Sequence, residues 1–295
     1  MPEELQGVVR VGPAGWSYED WKGVVYPTDV PRRIHALAFL SRFFDAVEVN
    51  ATFYRPPDAR LAAAWVRHVA DNPRFRFSVK LWRRYTHDRE DPPTERETRQ
   101  FLEGIQPLVA EERLGALLIQ FPWNFQRTVA NREWLARLAE RFASYPLAIE
   151  LRHASWDQPT LYKGLAERGA AFCNIDQPLF DHSIAPSAHT TAPMGYVRFH
   201  GRNAADWFRE GAGRNERYNY LYGEDELKPW IQKITQMRER LNELYVITNN
   251  HYRGQAVVNA LEIQAAVQRG RVRAPAPLLE AYPRLAEVAD PDTRT

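Results

Sequence analysis

Short aliphatic runs and amphipathic stretches take turns along nearly the whole chain. Eight runs rich in β-branched and aliphatic residues fall at 8–12, 46–50, 76–80, 114–121, 146–151, 170–176, 194–200 and 244–250. Between most of them, at 31–43, 58–70, 95–109, 131–142, 159–168, 225–242 and 254–268, apolar residues recur every three or four positions, the spacing of a helix that buries one face. Asp58 and Asn131 are N-cap candidates, and Pro31 and Pro159 suit a first helical turn. Parallel strands need a crossover of a dozen or more residues, most often a helix, so strict alternation calls for a parallel sheet. Eight repeats predict an α/β chain of one domain, a closed (β/α)8 TIM barrel over residues 1–272, with 273–295 a partly packed C-terminal tail. An open doubly wound sheet is the competing architecture. Its usual mark is a glycine-rich turn after the first strand, and here that turn, Gly12-Pro13-Ala14-Gly15-Trp16, lacks the GxGxxG spacing. P-loop, HExxH and GxSxG motifs are absent as well.

Composition narrows the class. With 295 residues, 44% of them hydrophobic, the chain can fill one large core. A formal charge of +2 is too small to name a nucleic acid or a membrane surface as partner. The single cysteine, Cys173, excludes an internal disulfide and a CxxC site, which suits a reducing compartment. No apolar run approaches the ~20 residues that span a bilayer, and the N-terminus lacks a signal-type apolar region, so a soluble cytoplasmic protein is expected. Of thirty-nine basic residues only five are lysine (Lys22, Lys80, Lys163, Lys228 and Lys233). In an arginine-rich chain, the positions that keep lysine draw notice.

Side chains two apart on a strand share a face. In most of the runs one face is aliphatic while the other turns polar towards its C-terminal end. A barrel turns its aliphatic face to the helices, and its active sites sit at the strand C-termini. The pattern therefore predicts Glu48, Asn50, Lys80, Gln120, Glu150, Arg152, Asp176, Arg198, His200 and Asn250 around one mouth, with Cys173 on the helix side. Three carboxylates (Glu48, Glu150, Asp176) would face three cations (Lys80, Arg152, Arg198) and the titratable His200. Such a ring is a poor device for stability alone, since packed apolar residues do as well or better than buried ion pairs.

Several chemistries suit the ring. Glu48, Glu150, Asp176 and His200, with His153, His182 or His251, are possible metal ligands, but a lysine and two arginines among them oppose a divalent ion, and no metal or cofactor is expected. Acid–base work is the stronger reading, with Glu150 or Glu48 as base, Asp176 orienting a partner and His200 titrating in range. Lys80 is either a Schiff-base nucleophile, an electrostatic clamp or the partner in a salt bridge to Glu48 or Glu150. Arg202 and Arg253, after the seventh and eighth strands, stand where barrels often bind phosphate. The long connections 177–193 and 201–224 are of lid length. The second mixes Arg202, Arg209, Arg214 and Arg217 with Trp207, Phe208, Tyr218, Tyr220 and Tyr222, too aromatic for disorder. Trp16, Tyr18, Trp21 and Tyr26 either wall the mouth or pack the core.

With these strand ends laid out, the chain resembles the YecE-like family (domain of unknown function 72). The matching pieces are GWSYEDWKG with YP following, EVNATFYRPP, FSVKLWRRYTH, GALLIQFP, AIELRHASW, YVRFHGRN and NNHYRGQAVVNA, spread over about residues 7 to 265. The resemblance implies a TIM barrel and adds Tyr54, His87 and His153 to the residues of interest, but it supplies no activity. Ala14 departs from the family's usual serine, and His251 stands where a smaller residue is usual.

The residues thus point to an enzyme, a hydrolase, lyase or isomerase, with an acid–base site for a small anionic or carbohydrate-like molecule. Glu48, Lys80, Glu150, Asp176 and His200 are the candidate catalytic set. Asn50, Tyr54, His87, Gln120, Arg152, Arg198, Arg202, Asn250 and Arg253 are the candidate ligand contacts. The alternatives are a nucleic-acid-binding protein or nuclease that uses loop 201–224, and a non-catalytic metabolite-binding protein.

Overall fold

The computed structural model describes residues 7–28 and 35–292. The first half runs β1 (Val8–Pro13), α1 (Ala36–Leu40), β2 (Ala46–Val49), α2 (Ala51–Tyr54), α3 (Ala59–His68), β3 (Arg76–Lys80), α4 (Glu95–Ala110), β4 (Leu114–Gln120), α5 (Val129–Arg141) and β5 (Leu147–Glu150). It continues with α6 (Pro159–Ala166), β6 (Ala171–Asp176), β7 (Met194–Phe199), α7 (Ala204–Trp207), α8 (Arg214–Arg217), α9 (Glu224–Arg238), β8 (Glu243–Thr248) and α10 (Gln255–Gln268). All eight expected strands are present, each displaced by no more than two residues at either end. They form one eight-stranded parallel sheet in the order β1-β8-β7-β6-β5-β4-β3-β2. The (β/α)8 barrel shape follows as β1 and β2, the two ends of that order, come together at the Ala14–Glu48 bridge, where the Gly15 N–H donates to the Glu48 carbonyl at 2.8 Å. Gly12 makes this approach possible, since a Cβ there would lie 1.9 Å from the Ala46 carbonyl oxygen.

Local signals mostly act as expected. The Asp58 side chain accepts from Arg60 N–H at the start of α3, and Pro159 opens α6. The cap of α5 is Thr128 rather than Asn131, because the threonine hydroxyl accepts the Asn131 N–H. Pro31 lies outside the described residues. Over its described residues the segment after α10 is regular: β9 (Val272–Ala274) pairs in parallel with β10 (Ala289–Pro291), and α11 (Ala276–Ala281) lies between them in sequence. Leu278, Leu285 and Ala289 anchor it in the apolar layer around α10 and β1. Among the described residues no helix is long and apolar enough to cross a membrane.

Candidate functional site

Register decides which side chains enter the lumen, because partners in neighbouring parallel strands share a face. Glu48 is level with Ser78, Ser78 with Ala116, Lys80 with Leu118, Gln120 with Glu150, Cys173 with Tyr196, and Arg198 with Ile247. Each pair points inward. Glu48, Lys80, Gln120, Glu150, Arg152, Arg198 and His200 meet there as expected, while β6 and β8 are turned the other way. On β6 it is Cys173 that faces the lumen, its Sγ 4.0 Å from Glu150 Oε2. Asp176 lies under the helices, where it accepts from Arg202 Nη2 and Nε (2.6 and 2.8 Å), Tyr222 Oη (2.7 Å) and Trp230 Nε1 (2.6 Å). On β8 the mouth residue is Asn249. Asn250 instead donates to Asn259 of α10 and to the Tyr220 carbonyl. Polarity alone suggested the opposite for both strands, because the shell outside β6 and β8 carries its own polar groups.

One guanidinium organises the lumen. Fully buried Arg198 donates through Nη2 to Glu48 Oε1 (2.7 Å) and through Nη1 to Glu150 Oε2. Arg152 Nε takes the other Glu150 oxygen at 2.7 Å. Tyr196 Oη lies 3.1 Å from Glu48 Oε2 and 2.5 Å from Ser78 Oγ. His200 Nδ1 sits 3.2 Å from Asn249 Nδ2, and its Nε2 lies 3.2 Å from both Glu150 Oε1 and Arg152 Nη2. Burial alone would raise the Glu150 carboxyl, but Arg198, Arg152 and His200 hold it well below the ordinary carboxylate range. Burial, reinforced by Arg152, brings His200 down to about 3, so its ring is neutral at pH 7.

Above this layer opens a cavity of about 100 Å³, walled by Tyr18, Asn50, Phe53, Tyr54, Lys80, Gln120, Arg152, Arg198, Arg214, Tyr218, Asn249 and His251. Neither Glu48 nor Glu150 reaches its wall, so the expected carboxylate base is not presented to a ligand. With Asp176 outside, two carboxylates serve three cations, and both are taken by arginine. Lys80 is left over. Among the described residues its ammonium makes no ion pair; it lies over the Phe53 ring, 3.8 Å from the centroid. Burial and then Arg198 bring its pKa down to about 7, against the pull of Glu48 and Glu150. His87 packs edge-on against Phe53 outside the cavity wall and is lowered to about 3 by burial, then by Lys80 and Arg152.

The loops complete the mouth. Segment 201–224 folds back over it through α7 and α8, bringing Arg214 and Tyr218 to the wall and Trp207 against Arg152. Gly201, at φ +86°, starts that return, and its N–H donates to Tyr222 Oη at 2.9 Å. The anion site expected from Arg202 and Arg253 is not assembled. Arg202 is fixed on Asp176 and Glu226, and Arg253 is an exposed residue with φ +48° whose N–H is held by Asp20. Of the N-terminal aromatics, Tyr18 lines the mouth and the buried Trp21 packs, donating to the His251 carbonyl. His153 lies beside Ser155 and stacks with His182 away from the cavity. Among the described residues no three His, Cys, Asp or Glu side chains gather as a metal site. The sequence pattern passed over Asn249 and marked His251 only as a possible metal ligand and a departure from the family. The histidine is 2% exposed, stacks on Tyr18 at 4.5 Å, and has no hydrogen-bond partner for either ring nitrogen.

Comparison with known proteins gives a consistent picture. The family model described as a protein of unknown function, DUF72, matches residues 10–281. The UPF0759 protein YunF of Bacillus subtilis (strain 168) is 27% identical over 269 residues, covering 87% of this chain and 93% of YunF. The crystal structure of a DUF72 family protein (TM1631) from Thermotoga maritima MSB8 superimposes with a TM-score of 0.78 at 37% identity, covering 88% of this chain and 99% of that one. A DUF72 family protein (EF0366) from Enterococcus faecalis V583 gives 0.77 at 28% identity, covering 88% and 96%.

Proposed function

This chain belongs to the DUF72 family, and we propose that its barrel mouth takes a small anionic molecule and acts on it as an enzyme, with Lys80 as the reacting group. One observation carries the reading: the cavity wall holds Lys80, Arg152, Arg198 and Arg214, whereas the two lumen carboxylates lie behind it, already engaged. A ligand carboxylate or phosphate supplies the missing negative charge, and beside the half-buried Lys80 and buried Arg198 such a contact is worth more than on the open surface. The lysine, not a glutamate, is the group placed to exchange protons at neutral pH.

Loop 201–224 supports this reading better than one that tracks a nucleic-acid strand. Arg202 and Arg209 are spent on Asp176, Glu226 and Asp206, and Arg214 points over Tyr18 towards the mouth. Calorimetry and thermal shift with phosphate, sulfate, oxalate and lactate test the proposal. Saturable binding that Lys80→Met and Arg214→Ala both weaken is expected. No binding of any of these anions, together with salt-sensitive retention of an oligonucleotide, overturns it.

A further inference from the structure

We propose that Lys80 forms a Schiff base with a short 2-oxo acid seated in the mouth cavity; the inference rests on the reading of the mouth as an anion site. A 2-oxo acid carries an electrophilic carbon beside a carboxylate, and the cavity offers one group for each. Lys80 is the unpaired amine, and Arg214, exposed at the rim and free of ion pairs among the described residues, is the guanidinium that can take the carboxylate. His251 is the independent sign of a ligand. Both ring nitrogens are buried and unpartnered on the wall of the same cavity, an arrangement that costs stability unless something arrives to meet them. Burial, then Arg214, lowers its pKa to about 4, so it offers one N–H donor and one acceptor, a match for a carbonyl oxygen and for the hydroxyl that replaces it. Size sets the chain length: a cavity of about 150 Å³ holds benzene, and this one, at about 100 Å³, suits a two- or three-carbon acid.

The step is a condensation. The Lys80 Nζ lone pair forms a bond to the carbonyl carbon as the C=O π pair moves to oxygen. The carbinolamine then loses that oxygen as water, which carries away both protons of the neutral amine, and the imine takes one proton from solvent to become the iminium. No redox change is involved. Burial keeps part of Lys80 as free amine at neutral pH, in a field set by Arg198, Glu48, Glu150, Arg152 and, from the side, His87.

Glyoxylate or pyruvate with sodium cyanoborohydride tests it, read by intact mass and peptide mapping on the full chain. One adduct per chain at Lys80 is expected, formed at least tenfold faster than on exposed Lys22 or Lys163, slowed by oxalate, slowed by Arg214→Ala and absent from Lys80→Arg. The trapping rate should rise between pH 6 and pH 8. Oxalate and lactate carry no ketone or aldehyde group, so their binding is read separately by thermal shift. If they stabilise the protein and Lys80 stays unmodified, the Schiff base is overturned and the anion site stands. If neither binding nor trapping occurs, both fall. Equal labelling of all lysines also overturns the inference.

Discussion

Arg198 Nη2 lies 2.7 Å from Glu48 Oε1, joining residues 150 positions apart across the barrel interior. The same guanidinium also serves Glu150, so three strands meet at one planar group. Removing it leaves two carboxylates in a dry interior with fewer donors. Arg198→Met is expected to cost about 3–5 kcal/mol, the usual penalty for breaking a buried pair from one side. Urea unfolding checks this: the midpoint should fall with the slope unchanged.

Lys80 acts on stability in the opposite direction. Its pKa is 10.5 in an unfolded chain and about 7 in the fold, so folding expels a proton between those values. The resulting destabilisation is full below about pH 7 and fades as pH rises towards 10.5. Lys80→Met should therefore raise Tm, most at pH 6 and least near pH 10. A gain that grows with pH would contradict the charge count in the lumen.

Buried His200 and half-buried His87 contribute to the acid limit. His200 and His87 both fall from 6.5 to about 3 on folding, so the unfolded chain binds more protons between those values. Stability present above pH 6.5 is lost as pH falls towards 3. In His200→Asn the decline of Tm over that range should be shallower than in the parent, as measured by scanning calorimetry in matched buffers.

Arg214 is exposed and makes no ion pair among the described residues, so Arg214→Ala should leave Tm nearly unchanged. A charged hydrogen bond contributes roughly 1.5–3 kcal/mol, and the variant should bind oxalate about ten- to a hundredfold more weakly. Titration calorimetry at constant ionic strength measures it.

Asp176 separates shell from mouth. Its partners Arg202, Tyr222 and Trp230 all lie on the helix side. Asp176→Asn is expected to lower stability by about 1–3 kcal/mol as charged hydrogen bonds become neutral ones. Oxalate affinity, measured on the folded variant, should not change.

The barrel and most of its interior were legible from alternation alone, since β2, β3, β4, β5 and β7 each place aliphatic residues against an apolar shell. β6 and β8 broke the rule for a physical reason. Outside β6 stand Trp230, Tyr222 and Arg202, which make the helix side hospitable to Asp176, and Asn259 does the same for Asn250. Polarity then no longer tells inside from outside. Register does, and it depends on neighbouring strands rather than on local pattern. Arg214, Tyr218 and Asn249 reach the cavity through loop closure and through the strand end, neither of which has a two-residue period. The aromatic–arginine mixture of 201–224 signalled that the loop would fold over something, without showing which of its arginines would remain unspent.

The seam between β1 and β2 has a consequence for how the molecule comes apart. Its hydrogen-bonded tie runs through the backbone of Glu48, whose side chain is held by Arg198. Parting those two edges therefore also tugs at the electrostatic knot in the middle, as pulling one thread loosens both hem and button. Closure of the cylinder and integrity of its charged heart should fail as one event.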